Sequence, residues 1–124
     1  MKVAVPVFRS RISPVFDVAH LCLLVSLENG NEAERKEVAL RGKLPLERVA
    51  VLKEAGVHVL ICGGITGTTR FLAETAGMRV LAGVAGDVEG VIRAFQERAL
   101  DQPCFRMPGC RRQRWKGGRG GRRR

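Results

Sequence analysis

Apolar and polar positions alternate through the first eight residues, with Val3, Val5 and Val7 on one side, which predicts a strand over Met1–Phe8. Pro6 lies inside it and is expected at a sheet edge or a bulge, because proline cannot donate to a ladder. Arg9–Asp17 (RSRISPVFD) reads as a loop. Leu21–Leu27 (LCLLVSL) is a second, strongly apolar strand. It is turned by Glu28-Asn29-Gly30-Asn31, where Asn-Gly supplies the positive φ angles a tight hairpin needs. Glu34–Leu40 returns antiparallel as a third, more polar strand.

After Leu40 the period changes. Pro45 suits a first helical position and Glu47 the first turn, Leu46, Val49, Ala50 and Leu52 supply an apolar side, and Gly56 stops the helix at Ala55. Val57–Cys62 (VHVLIC) is nearly all apolar, as expected of a parallel strand covered on both faces. Gly63-Gly64-Ile65-Thr66-Gly67 leads into a helix over about 68–76, stopped by Gly77. Met78–Ala82 is a short strand. Asp87 caps a last helix whose Val88, Val91, Ile92, Phe95 and Ala99 recur at helical spacing. The order β-β-β-α-β-α-β-α predicts an α/β fold: a three-stranded antiparallel meander feeding βαβα units, giving a mixed five-stranded sheet with helices packed on it.

The chain has 124 residues, enough for one core and a tail. Its net charge of +10 is unevenly placed: nine Lys/Arg and no acid follow Pro103, while residues 1–102 hold 13 Lys/Arg against 12 Asp/Glu. Residues 103–124 contain no Leu, Ile or Val, too little apolar surface to offset the entropy of ordering. The division expected is therefore a domain over 1–102 and a basic, mostly disordered tail over 103–124. No apolar run approaches the ~18 residues of a membrane span, and the N-terminus lacks a signal-peptide pattern, so a soluble cytoplasmic protein is expected. In that compartment Cys22, Cys62, Cys104 and Cys110 are thiols or metal ligands rather than a disulfide framework.

The passage Cys62–Thr69 carries the clearest chemical signal, since glycines allow close backbone approach and N–H groups at a helix start attract anions. It can hold a phosphate, carboxylate or cluster, or it is a tight turn capped by Thr66 or Thr68. Neither a Walker loop nor G-x-G-x-x-G is present. Cys62 ends a buried strand at the carboxyl edge of the sheet, where a helix N-terminus would favour its thiolate; the alternative is an inert core thiol. Cys22 reads as structural. Cys104 and Cys110, in CFRMPGC, can share a soft metal or an iron-sulfur fragment, can oxidise reversibly, or have no role; as ligands they need a third donor, from Cys62, His20, His58 or another subunit. His58 fits a satisfied core or edge histidine, and His20 is the better ligand candidate. Paired carboxylates and a Ser-His-Asp order are both lacking, which argues against hydrolysis.

Ile12-Ser13-Pro14-x-Phe16-Asp17-x-Ala19 after the first strand, Ile61-Cys62-Gly63-Gly64-Ile65 after the fourth, and Met107-Pro108-Gly109-Cys110 before an Arg/Gly tail resemble the dinitrogenase iron-molybdenum cofactor biosynthesis (NifX-like) family. The resemblance spans about residues 1–110. It implies a ribonuclease H-like three-layer fold without nuclease activity, and a role in binding or shuttling an iron-sulfur or iron-molybdenum cofactor precursor. By motif match Ser13, Asp17, Cys62, Gly63 and Gly64 would line the site. Many members place His between the Pro and Phe of the first loop, where this chain has Val15.

The function expected is a non-enzymatic carrier or scaffold working with metallocluster donor or acceptor proteins. Its cofactor-binding residues are Ser13, Asp17, Cys62, Gly63, Gly64 and Thr66, and its metal ligands Cys62, Cys104, Cys110 and His20. The alternative from another class is an RNA-binding module using the basic tail and Trp115, in which case deleting residues 111–124 abolishes RNA affinity and its salt dependence. A thiol redox activity would require a depressed pKa at Cys62 or Cys110.

Overall fold

The computed structural model describes residues 1–100 and 105–107. Its elements follow the expected order: β1 (Lys2–Phe8), β2 (Arg11–Ile12), a 3-10 turn at Phe16–Val18, β3 (Leu21–Glu28), β4 (Asn31–Ala39), α1 (Pro45–Glu54), β5 (Val59–Ile61), α2 (Gly67–Thr75), β6 (Arg79–Leu81) and α3 (Val88–Gln96). The sheet runs β4-β3-β1-β5-β6, with β2 paired to β1. The meander β1-β3-β4 is antiparallel, and β1, β5 and β6 are parallel.

Alternation sorts the side chains of the sheet into two cores. Val3, Val5, Leu23, Val25, Val59, Ile61 and Leu81 face α3, which contributes Val88, Val91, Ile92 and Ala94. Ala4, Cys22, Leu24, Leu60, Cys62 and Val80 face the other way, against Val49 and Leu52 of α1 and Ala73 of α2. The molecule is thus three layers, and its central strands are largely apolar because both faces are covered. β4 is an exposed edge strand, which accounts for its polar sequence. Arg35 on β4 donates to Glu32 and to Glu89 of α3 at 2.6–3.1 Å, clipping that edge to the helix layer.

Several expectations are corrected. The sheet has six strands rather than five, because the loop after β1 contributes the two-residue β2 before its 3-10 turn. Pro6 sits in the central strand, not at an edge or bulge. Its carbonyl accepts from Ser13 N–H at 2.9 Å, on the side away from β3, and β5 pairs with β1 only at Val3 and Ala4. The missing proline N–H therefore falls beyond the β5 ladder and costs no sheet bond. β4 starts at Asn31, straight after the Asn29-Gly30 turn with φ +55 and +80. Leu46 and Ala50 of α1 are exposed, and the buried face is Arg48, Val49 and Leu52. His58 is exposed, its Nδ1 accepting from Lys2 N–H at 3.0 Å. Phe105–Met107, assigned to the tail by composition, pairs with the body of the fold. Among the described residues no helix is long and apolar enough to cross a membrane.

Candidate functional site

The parallel strands β1, β5 and β6 end at the same edge of the sheet, where open α/β sheets bind ligands. There the loop after β1 and the turn after β5 are joined by backbone. Gly64 N–H donates to Pro14 O at 2.7 Å, and Phe16 N–H donates to Gly64 O at 2.8 Å. On the other side Gly83 N–H donates to Gly63 O at 2.8 Å and Val84 N–H to Cys62 O at 3.0 Å. Three backbone segments lie side by side, and Gly63 is in the middle. A Cβ on Gly63 would stand 2.6 Å from Pro14 O and 3.0 Å from Ser13 O, so glycine is needed for the approach.

The side chains pull the same two loops together. Asp17, from the 3-10 turn, accepts from Thr66 N–H and the Thr66 hydroxyl, each at 2.9 Å, and from the Thr69 hydroxyl. Thr66 is also the N-cap of α2, accepting from Thr69 N–H at 3.3 Å. The anion attracted to this helix start is the protein's own carboxylate. Burial raises the Asp17 pKa, but the Thr69 hydroxyl, the Thr66 N–H and hydroxyl, and the Arg48 charge outweigh it and hold the carboxyl below its ordinary value. Beneath the turn, Arg48 is 3% exposed; it donates to Lys43 O (2.9 Å), Phe16 O (3.1 Å) and Ala19 O (2.7 Å).

Ser13, Asp17, Gly63, Gly64 and Thr66 are therefore brought together. Ser13 is buried, its N–H donates to Pro6 O, and its carbonyl oxygen lies where a Cβ on Gly63 would come within 3.0 Å. Val15, bridged to Gly64, and Val18 form the exposed rim. Cys62 lies beneath, fully buried in the core that also holds Cys22, Phe16 and Leu60. Burial pushes its thiol up to about 12; the Arg70 charge opposes this and Asp17 adds to it. Of the two readings of Cys62, burial favours the core thiol: desolvation outweighs the pull of the nearby helix N-terminus. His20 is exposed immediately before β3, with its carbonyl accepting from Leu40 N–H at 2.8 Å. Cys104 and Cys110 lie outside the described residues. Among the described residues no group of three His, Cys, Asp or Glu side chains is placed to hold a metal ion.

Two functional tests arise from this geometry. Asp17→Ala removes three bonds to a charged acceptor and is expected to cost about 2 kcal/mol in urea unfolding. A lowered native pKa means that the stabilisation is complete above the unfolded value of about 3.9 and is lost as pH falls below it. Wild type and Asp17→Ala should accordingly converge in acid; a gap that persists to pH 2 would assign the loss to packing. For Cys22 and Cys62, iodoacetamide at pH 8 is expected to label neither until denaturant is added, since both thiols are buried and raised in pKa. Labelling of Cys22 or Cys62 in the native Cys104→Ser/Cys110→Ser chain at the rate of a free thiol would contradict that burial.

Sequence reasoning missed Arg48 and Thr69. A signal existed for both: Arg48 stands four residues before Leu52 on the face that α1 buries, and Thr69 is three residues after the capping Thr66. The pairing of Phe105–Met107 with Gly83–Ala85 had no periodic signal at all.

Comparison with known proteins gives a consistent result. A family model described as dinitrogenase iron-molybdenum cofactor matches residues 1–98. A search of the curated proteins finds no match. Among solved structures, the chain is similar to PH0822, with a TM-score of 0.78 and 22% identity, covering 83% of this chain and 95% of that one. It is also similar to the apo form of the orange protein from Desulfovibrio gigas, with a TM-score of 0.68 and 17% identity, covering 85% of this chain and 94% of that one. At these identities the likeness is one of fold.

Proposed function

Because the chain belongs to the dinitrogenase iron-molybdenum cofactor family, we propose that it is a non-enzymatic carrier that holds an iron-sulfur or iron-molybdenum cofactor precursor as cargo at the carboxyl edge of its sheet, between donor and acceptor proteins. The observation that supports this reading most is the family match over residues 1–98, which covers both loops of the edge. Their geometry suits a platform. The loop after β1 and the Gly63-Gly64 turn are locked to each other by backbone and by Asp17, so they present a fixed surface with Val15 and Val18 at its rim.

The donor set sets the kind of holding. Asp17 already accepts three hydrogen bonds from Thr66 and Thr69, and Cys62 is packed in the core, so the platform does not close a four-ligand site by itself. The thiolates come from Cys104 and Cys110, with His20 as a further donor, and Cys62 forms the floor. Incomplete ligation suits cargo that must be surrendered, whereas a closed site would retain it.

Anaerobic reconstitution with ferrous iron and sulfide tests this. Wild type and Cys62→Ala are expected to bind metal and sulfide with visible absorption, and Cys104→Ser/Cys110→Ser to lose both. Equal binding by the double variant would overturn the ligand assignment, and loss in Cys62→Ala, with its fold intact by circular dichroism, would return Cys62 to the ligand set.

A further inference from the structure

Three large aliphatic side chains stand in solvent beside the candidate site: Val18 is 67% exposed, Leu44 67% and Leu46 65%. One buried side chain holds their segments together. Arg48 donates to Phe16 O and Ala19 O, on either side of Asp17-Val18, and to Lys43 O, just before Leu44. The first turn of α1 therefore lies at the carboxyl edge, next to the loop after β1. Leucine at 44 has no local explanation. It is the N-cap of α1, where a side-chain oxygen ordinarily accepts from the first N–H groups of the helix, and leucine has none to offer. Leu46 faces away from the core that Val49 and Leu52 join. Aliphatic side chains that serve neither cap nor core mark a surface that something else covers.

The unsatisfied charge around them has one sign. Residues 15–21 and 40–48 hold His20, Arg41, Lys43 and Arg48 against Asp17 and Glu47. Both acids are engaged within the fold as acceptors, Asp17 from Thr66 and Thr69 and Glu47 from Leu44 N–H at 2.7 Å. Arg41 and Lys43 form no salt bridge among the described residues. A second copy of this chain is a poor complement, since each carries a net charge of +10, and so is the tail, which brings nine cations and no acid.

We propose that Val18, Leu44 and Leu46, with Arg41 and Lys43 at their margin, dock a partner protein through an acidic surface that has an aliphatic centre. That this partner donates or accepts cargo rests on the carrier reading, but the surface does not. Apolar anchors inside a charged rim are the ordinary anatomy of a protein interface, and the rim charges steer the encounter. Aliphatic anchors give stacked bases no platform, and two unpaired cations fall short of the cluster of about four to eight that draws a segment to an anionic membrane. The backbone beneath is already fixed by Arg48 and by the Glu47 bond, so docking orders little that was free.

The full chain without metal tests this, with a fluorescent amphipathic helical peptide of leucine and glutamate as the probe. Because the tail attracts any polyanion, binding is compared at high salt, where that attraction is screened and the aliphatic contact is not. Wild type is expected to bind the probe, and the Leu44→Ser/Leu46→Glu variant to bind it about tenfold more weakly or worse. Serine supplies the missing cap and glutamate suits the first turn, so α1 is not weakened by the pair. Phe71→Gln, at a ring 66% exposed on α2, should leave affinity unchanged. Arg41→Glu/Lys43→Glu should slow association and flatten its salt dependence. Equal affinity for a peptide with alanine in place of leucine, or for the Leu44→Ser/Leu46→Glu chain, would overturn the proposal. So would Leu44- and Leu46-dependent binding to phosphatidylserine vesicles while the peptide stays unbound. A chain that takes up iron and sulfide but ignores the peptide loses the docking surface and keeps the carrier reading, and one that binds the peptide but takes up no metal does the reverse.

Discussion

Gly63→Ala is expected to destabilise the protein by about 3 kcal/mol or more, the cost of overpacking where nothing can yield. The new Cβ would meet Pro14 O at 2.6 Å, Ser13 O at 3.0 Å and Pro14 C at 3.1 Å, and all three are backbone atoms. A flexible side chain would swing aside, but this loop can move only by giving up the Gly64 N–H to Pro14 O and Phe16 N–H to Gly64 O bonds. For a domain of this size that corresponds to a fall in melting temperature on the order of 10–20 °C. Gly64→Ala is the internal comparison. Its Cβ would sit 3.3 Å from Pro14 O and 3.6 Å from a Val15 methyl, so a few tenths of an ångström suffice and the loss should be small. Thermal unfolding of the two variants decides the matter: equal losses would mean that the loops are not held in the close register described.

Arg48→Met is expected to cost about 2–4 kcal/mol and to loosen the loop after β1 selectively. The methionine keeps the aliphatic stem but leaves the Lys43, Phe16 and Ala19 carbonyls without the guanidinium that bonds them. Removing a buried charge recovers some desolvation, which lowers the Arg48 pKa against the pull of Asp17, and this sets the upper end of the range. Arg48→Lys should lie between the two, because an ammonium is a point donor and cannot span three carbonyls as a planar fork does. Hydrogen exchange at Ala19, whose N–H donates to Phe16 O at 3.2 Å, should speed up more than exchange in β3. Uniform acceleration across the sheet would show that Arg48 supports the whole domain rather than the site.

The legible parts of the fold were those written in local periodicity and punctuation. Val3, Val5 and Val7, the Asn29-Gly30 turn, Pro45 at the start of α1, and Asp87 ahead of the Val88-Val91-Ile92 stripe each carry their own signal, and each element appears where that signal places it. The site was legible at the level of segments. Ile12–Ala19 and Cys62–Thr66 do meet, since both follow strands of the parallel set. What local pattern could not convey was depth. Cys62 at a strand end can face the edge or the core, and alternation with Ile61 sends it into the core, where desolvation overrides the nearby helix start. Nothing local marks the buried role of Arg48, because two of its partners are carbonyls of a loop 29 and 32 residues away in sequence. The docking of Phe105 on Gly86 and Gly90 is a long-range contact between a glycine gap and a single ring, with no period to announce it.

The most direct test of the carrier account is the metal and acid-labile sulfide content of the full chain purified without oxygen, compared with the same chain carrying Cys104→Ser and Cys110→Ser. The account predicts substoichiometric but reproducible metal together with sulfide in the first and neither in the second. A wild-type chain that is free of metal under those conditions and takes up none from ferrous iron and sulfide would contradict it.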